Sequence, residues 1–223
     1  MNVVIIGTGG REHALAIKCL KSDIVEQVHV IPGNTGMQKD ENITIHSNWD
    51  GSFPSLEHLC TMENIELIIV GNEAYLEEGI SDYFIERGIS IFGPTKRGAT
   101  LETSKDFAKN FMKKYAIPTA DFLTFHTKEE SLAYIEKAKG MLVIKQDGLA
   151  LGKGVLVTDN KDEAIEFIHN LPIDDATVVF EEFLEGREFS LLVFTHNEYY
   201  NSMVPARDYK RAKDGDEGLN TGG

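Results

Sequence analysis

In the first hundred residues, short apolar runs alternate with segments of helical periodicity, and this alternation constrains the fold more than any other feature of the chain. Val3–Ile6 is an apolar run ended by a glycine turn. From Arg11 to Lys21, Ala14, Leu15, Ile17 and Leu20 recur at helical spacing. Val28–Ile31 follows and is stopped by Pro32-Gly33-Asn34, and Ile43–Ile45 is a weaker run. A helix over about Ser55–Glu63 leads to Leu67–Val70 and Gly71, and another near Glu77–Arg87 leads to Ile89–Phe92, ended by Gly93-Pro94. Short apolar strands separated by helices predict a parallel, doubly wound sheet with both faces covered. In such sheets ligands sit at the carboxyl ends of the strands, where most of these runs meet glycine.

After a charged connector helix over Ser104–Tyr115, ended before Pro118, the pattern changes. Asp121–Phe125, Met141–Lys145, Gly154–Thr158, Thr177–Glu182, Glu188–Phe194 and Tyr200–Val204 read as strands, with helices only over Lys128–Lys139 and Asp162–Asn170. Strands joined by short turns with helices on one side predict an α+β lid and the start of a further core. The chain thus divides into a Rossmann-like domain over 1–101, a connector over 102–119, a lid over 120–187 and an incomplete core portion over 188–223. The glycine-rich end, Asn220–Gly223, reads as a point of truncation within a larger architecture.

The net charge of −14 disfavours nucleic acid and anionic lipid as partners. The two cysteines, Cys19 and Cys60, form no CxxC or metal-ligand spacing, which points to a reducing, cytoplasmic setting. The apolar run at the N-terminus is too short for a signal or a membrane span.

Several segments could carry chemistry. Gly7-Thr8-Gly9-Gly10-Arg11 joins a strand to a helix, where free N–H groups and the positive helix end suit a phosphate. The dinucleotide fingerprint needs glycine where Glu12 stands, which argues against NAD or FAD. The plain alternative is a tight turn without a ligand. Arg11 could pair with a phosphate or with Glu12, and His13 reads as a packing or capping residue. Asp147–Val155 places Gly148, Gly152, Lys153 and Gly154 between two strands. A P-loop requires Ser or Thr after the lysine and a helix beyond it; here Gly154 and a strand follow. This is a hairpin-like flap able to close on phosphates, or an ordinary flexible hairpin. Lys145, ending the strand before it, wants an anionic partner. Phe180–Glu188 combines apolar residues and acids that could hold an adenine and a ribose, or form a solvated acidic turn. Lys105 begins the connector helix, where a surface lysine is the alternative. Lys210 and Arg211 could meet a phosphate, while the acids after them lack the EF-hand pattern. No nucleophile elbow and no His/Cys/Asp metal cluster occurs in the sequence.

In this order, the stretches GTGGREHALA (7–16), PGNTG (32–36), IVGNEAYL (69–76), IFGPT (91–95), LETSKDFAKNFM (101–112), IPTA (117–120), VIKQDGLALGKGV (143–155) and EEFLEGREFS (181–190), with DYKR and NTGG near the end, resemble the phosphoribosylamine–glycine ligase family of the ATP-grasp superfamily. The resemblance implies an enzyme that phosphorylates glycine with MgATP and passes the acyl group to 5-phosphoribosylamine, through positioning and charge neutralisation rather than a protein nucleophile. It implies ATP contacts at Lys105, Lys145, Gly148, Gly152, Lys153 and Gly154, at Glu181, Glu182, Phe183 and Leu184 for the adenine, and at Glu188 for the ribose. Gly9, Gly10, Arg11, Glu73 and Ala74 would face phosphoribosylamine. Asp208, Lys210 and Arg211, with Asn220, Thr221 and Gly222, would line the reaction centre. The family's Mg²⁺ (or Mn²⁺) ligands lie beyond residue 223, so no metal site is assigned within 1–223 and the chain by itself is expected not to turn over; a complete protein is expected to be a monomer. Gln146 and Leu151 stand for alanines in the flap, Asn72 and Tyr75 for prolines, Pro205-Ala206-Arg207 for the residues before Asp208, Tyr209 for His and Leu219 for Pro. Another ATP-grasp carboxylate–amine ligase and a non-catalytic nucleotide-binding paralogue are the alternatives.

Overall fold

The computed structural model describes residues 1–149, 154–171, 177–209, 211–215 and 217–220, with backbone only at 211 and 217–220. Two compact units emerge. One is Met1–Ile117 with Asp147–Leu149; the other is Pro118–Gln146 with the described part of 150–223.

The first unit runs β1 (Asn2–Gly7), α1 (Gly10–Cys19), β2 (Gln27–Pro32), a 3₁₀ turn (Met37–Lys39), β3 (Ile43–Ile45), α2 (Phe53–Met62), β4 (Ile65–Val70), α3 (Glu73–Glu78), α4 (Ile80–Glu86), β5 (Ser90–Phe92), α5 (Lys96–Thr103) and α6 (Lys105–Lys114). The strands form one parallel sheet in the order β3-β2-β1-β4-β5. Alternate residues of β1 feed opposite cores. Val4 and Ile6 pack with Leu56, Ile68, Ile80 and Phe84. Val3 and Ile5 pack with Ala16, Val28, Val30 and Met37. That is why Val3–Ile6 is apolar at every position: the strand is central and has no wet face. The doubly wound sheet expected for this part is therefore present.

Two expectations here need correction. The helix near Glu77–Arg87 is two short helices, because Gly79 takes φ +95° and breaks the ladder between them. Lys96–Thr103 is a helix the pattern did not reveal; Thr95 caps it by accepting from Gly98 N at 3.3 Å.

In the second unit, β6 (Phe122–Phe125), α7 (Lys128–Lys137), β7 (Leu142–Gln146), β8 (Val155–Thr158), α8 (Lys161–His169) and β9 (Val178–Glu181) build an antiparallel sheet in the order β6-β9-β7-β8. Helices α7 and α8 cover one face, where Ile135, Leu142, Ile144, Ala164, Ile168, Val178 and Phe180 form the core. The other face carries the side chains of Val143, Lys145, Val179 and Glu181, as the pairing registers dictate. Later in the chain come two hairpins, β10 (Val193–His196) with β11 (Tyr199–Ser202), and β12 (Arg211–Lys213) with β13 (Glu217–Asn220). The strand expected over Glu188–Phe194 is not formed as such: pairing begins at Val193, and Ser190 makes only an isolated bridge to Ala206. The acids after Arg211, which lack the EF-hand pattern, lie in their described part in the β12–β13 hairpin. No helix among the described residues is long and apolar enough to cross a membrane.

Candidate functional site

The strand order places β1 between β2 and β4, and the chain winds in opposite directions on the two sides of the β1/β4 pair. Connections leaving these two strands part there and open a crevice at their carboxyl ends. Gly9, Gly10 and Arg11 lie at the start of α1 on one side; Glu73 and Ala74 open α3 on the other. The first unit thus brings all five expected substrate-side residues to one edge of one sheet. Gly9 caps α1 without a side chain, so no side-chain acceptor takes the N–H groups of Gly10, Arg11 and Glu12. These donors and the positive helix end are available to an anion.

Three loops meet at this edge. Asn34, after β2, donates from Nδ2 to Thr8 O at 2.7 Å, and its Oδ1 accepts from Gly36 N at 2.8 Å. Gly33 N donates to Gly7 O at 3.1 Å. Glu12 is 7% exposed and its Oε2 accepts from Gly9 N at 2.7 Å. Arg11 is exposed and forms no ion pair with Glu12 among the described residues, which settles one of the two alternatives for it. His13, read from the sequence as a packing or capping residue, makes instead a polar pair through Nε2 with Asp40 Oδ2. Asn72, in place of a proline, caps α3 by accepting from Ala74 N at 2.9 Å, and Tyr75 packs against Trp49 with ring centroids 5.0 Å apart. Both departures therefore have local structural roles.

A second group of expected residues surrounds the start of α6. Ser104 caps the helix, accepting from Phe107 N at 3.1 Å. Asp147 then supplies both carboxylate oxygens: Oδ2 accepts from Ser104 Oγ and Oδ1 from Asp106 N, each at 3.1 Å. A carboxylate is thus held where helix N–H groups converge, the usual seat of an anion. Lys105 lies alongside and donates from Nζ to Gly148 O at 2.9 Å. Asp147 went unrecognised at the sequence level as a partner of α6; the only signal was an Asp-Gly pair opening a glycine-rich loop.

On the helix-free face of the second unit's sheet, Lys145 Nζ meets Glu181 Oε1 at 2.9 Å, with side-chain exposures of 28% and 9%. Val143 faces Glu181 and Lys145 faces Val179 across the ladder, so the pair is diagonal on one face. The anionic partner expected for Lys145 is in this structure a protein carboxylate. Gly154, expected to belong to the flap, is buried, and its carbonyl accepts from Gln146 N at 2.8 Å. Glu182 N donates to Asp121 O at 2.8 Å, and its carboxylate accepts from Asp121 N at 3.4 Å. Phe183 and Leu184 are 43% and 64% exposed, and Glu188 and Asp208 are exposed. Gly152, Lys153, Leu151, Lys210, Thr221 and Gly222 lie outside the described residues, and Arg211 and Asn220 are placed only as backbone of β12 and β13.

With this geometry in view, comparison with known proteins is decisive. Residues 1–102 match phosphoribosylglycinamide synthetase, N domain, and residues 103–223 match phosphoribosylglycinamide synthetase, ATP-grasp (A) domain. The chain belongs to the phosphoribosylglycinamide synthetase family. It is 45% identical to a phosphoribosylamine–glycine ligase of Streptococcus pneumoniae and 48% identical to one of Lactococcus lactis, covering 100% of this chain and 54% of each relative. The crystal structure of a phosphoribosylamine–glycine ligase from Thermotoga maritima superposes with a TM-score of 0.78 at 38% identity, covering 99% of this chain and 54% of that one. An N5-carboxyaminoimidazole ribonucleotide synthetase solved with ADP shares the fold alone, at a TM-score of 0.63 and 20% identity. The chain spans about half the length of the curated relatives it matches. The family resemblance carried by the GTGGREHALA, flap and EEFLEG stretches is thus shown over the two domains matched here.

Proposed function

We propose that this synthetase chain is the substrate- and nucleotide-binding portion of an ATP-dependent ligase that activates glycine as an acyl phosphate and joins it to 5-phosphoribosylamine, releasing ADP and phosphate. Two successive domain matches to one ligase family, in order and together spanning residues 1–223, carry this reading. The β1/β4 crevice supports it: uncapped first-turn N–H groups of α1 beside an exposed Arg11 suit the phosphate of a ribosyl amine. Glu73 and Ala74 close the same edge.

On the nucleotide side, Lys105 and Lys145 are assigned to the phosphates. Each has a protein partner that a phosphate would replace: the Gly148 carbonyl for Lys105 and the Glu181 carboxylate for Lys145. Gly148 to Gly154 would close over the phosphates, Glu181 to Leu184 hold the adenine and Glu188 the ribose, with Asp208, Lys210, Arg211 and Asn220–Gly222 near the reacting atoms. The exposed residues from Glu182 to Glu188 suit this assignment, because backbone N–H and C=O groups are among the polar groups that fix a ligand's orientation in its pocket. The family resemblance places the ligands of the cation that accompanies ATP outside residues 1–223; among the described residues no three His, Cys, Asp or Glu side chains cluster as a metal site. The cytoplasm is the proposed setting.

The test uses a chain of the relatives' full length. With ATP, glycine and 5-phosphoribosylamine, ADP release should require both acceptor and carboxylate. Release equal to that without glycine would refute the assignment of substrates. Lys145→Ala should weaken ATP binding while leaving the circular dichroism spectrum native, and unchanged affinity would remove Lys145 from the phosphate site.

A further inference from the structure

Glu12 occupies the place of the third glycine in a dinucleotide fingerprint, and the structure shows what it does there. Its side chain does not point to solvent but lies beneath the glycine loop, at the carboxyl ends of β1 and β4. Three glycines make room for it. At Gly7, whose φ is +148°, a Cβ would collide with Glu12 Cγ. A Cβ on Gly9 would lie 2.9 Å from Oε2. A Cβ on Gly71, far away in sequence, would lie 2.6 Å from Cγ, 2.8 Å from Oε1 and 2.7 Å from Ile6 O. One oxygen is fixed by Gly9 N at 2.7 Å, and Gly71 N is fixed by Ile6 O at 2.9 Å. A single side chain therefore wedges the loop after β1 against the loop after β4.

We infer that Glu12 is the positioning residue of the amine-substrate subsite: it holds the loops 7–10 and 71–74 at the separation that receives one sugar phosphate, and it fills the floor of the crevice that a dinucleotide's pyrophosphate would need. This inference rests on the proposed use of the β1/β4 crevice for the phosphoribosyl substrate. Its physical basis is the exchange of sizes. In the dinucleotide fingerprint the loop is bounded by a small residue at this helix position, so that strand, helix and pyrophosphate approach closely. Here the volume has moved into the helix residue and the surrounding strand ends have been reduced to glycine. The loops on either side then move only together. The site's anion donors remain, but its depth is that of a monophosphate.

The experiment compares Glu12→Gln, Glu12→Ala and Gly71→Ala in the full-length protein by titration calorimetry, with ribose 5-phosphate as the probe and ADP as the control ligand. Glu12→Gln keeps the volume and an oxygen for Gly9 N, and should bind ribose 5-phosphate within about threefold of the parent. Glu12→Ala and Gly71→Ala, which disturb the wedge from opposite sides, should each lose at least about tenfold for ribose 5-phosphate with ADP affinity unchanged. Unchanged ribose 5-phosphate affinity in both, or equal losses for both ligands, overturns the inference. Hydrogen exchange at the amides of 71–74 gives a readout that needs no ligand: it should quicken in Glu12→Ala and not in Glu12→Gln. If the parent itself fails to bind ribose 5-phosphate, the substrate reading has failed, and with it the inferred selection of a monophosphate. The exchange data then decide the loop coupling alone: quickening at 71–74 confined to Glu12→Ala supports it, and no change there overturns it.

Discussion

Removing the ammonium of Lys145 is the sharpest test of how the second unit is held together. Lys145 and Glu181 are 2.9 Å apart on the helix-free face, flanked by Val143, 9% exposed, and Val179, fully buried. Glu181's side chain is only 9% exposed, whereas Lys145 keeps 28% and is reached by water. Loss of one partner from a fully buried pair costs about 3–5 kcal/mol, because the remaining charge is left desolvated. Water at the lysine end lowers this, and about 2–3 kcal/mol is expected for Lys145→Met. In Lys145→Met with Glu181→Leu neither charge of this pair remains to be desolvated, so the double variant should lie within about 1 kcal/mol of the parent. Urea unfolding followed by far-UV circular dichroism at pH 7.5 measures both. Equal stabilities of the single and double variants at pH 7.5 would show that the pair is screened and that the reasoning is wrong.

Three further outcomes follow from the first unit. His29 and His46 stack at 5.2 Å with Nδ1 and Nε2 2.9 Å apart, and burial holds both below the ordinary histidine value of 6.5; each one's charge is disfavoured further at His29 by His46 and favoured at both by Glu63. The unfolded chain therefore takes up protons first, so the pair's contribution to stability should be complete above about pH 6.5 and fall as pH drops below it; a parent profile no steeper than that of His29→Gln/His46→Gln between pH 7.5 and 5.5 would count against this. Burial pushes the Cys60 thiol up to about 11, so at pH 8 it should resist iodoacetamide until urea is added, and rapid native labelling by mass spectrometry would contradict its placement. Ser104→Ala removes the cap of α6 and a partner of Asp147, and should cost about 1–2 kcal/mol in urea unfolding; no loss would mean that the cap is replaced by water.

Much of the parallel sheet was legible because central strands buried on both faces must be apolar at every position, a pattern that Val3–Ile6 shows without help from the rest of the chain. Where side chains are mixed the pattern failed. Lys96–Thr103 carries too few apolar residues to announce a helix, and its stability comes from Thr95 and from packing of Ala99 into the core. Glu188–Leu192 looked extended because it is largely apolar, but apolarity alone does not set a register: Ser190 forms an isolated bridge with Ala206, and ladder pairing starts at Val193. In the candidate site, Gly9, Gly10 and Arg11 could be picked out from their own neighbourhood, since a strand–glycine–helix junction carries its anion donors locally.

By itself the sequence determined the fold class, the family and the segments that carry chemistry, because period, turn residues and motif order are properties of neighbouring residues. Only the tertiary structure decided what Glu12, Asp147 and Glu181 are for. Each acts on groups far off in the chain: Glu12 on Gly71, Asp147 on the first turn of α6, Glu181 on Lys145. Their roles depend on which backbone ends the sheet brings within a few ångströms, and no local pattern of residues encodes that proximity.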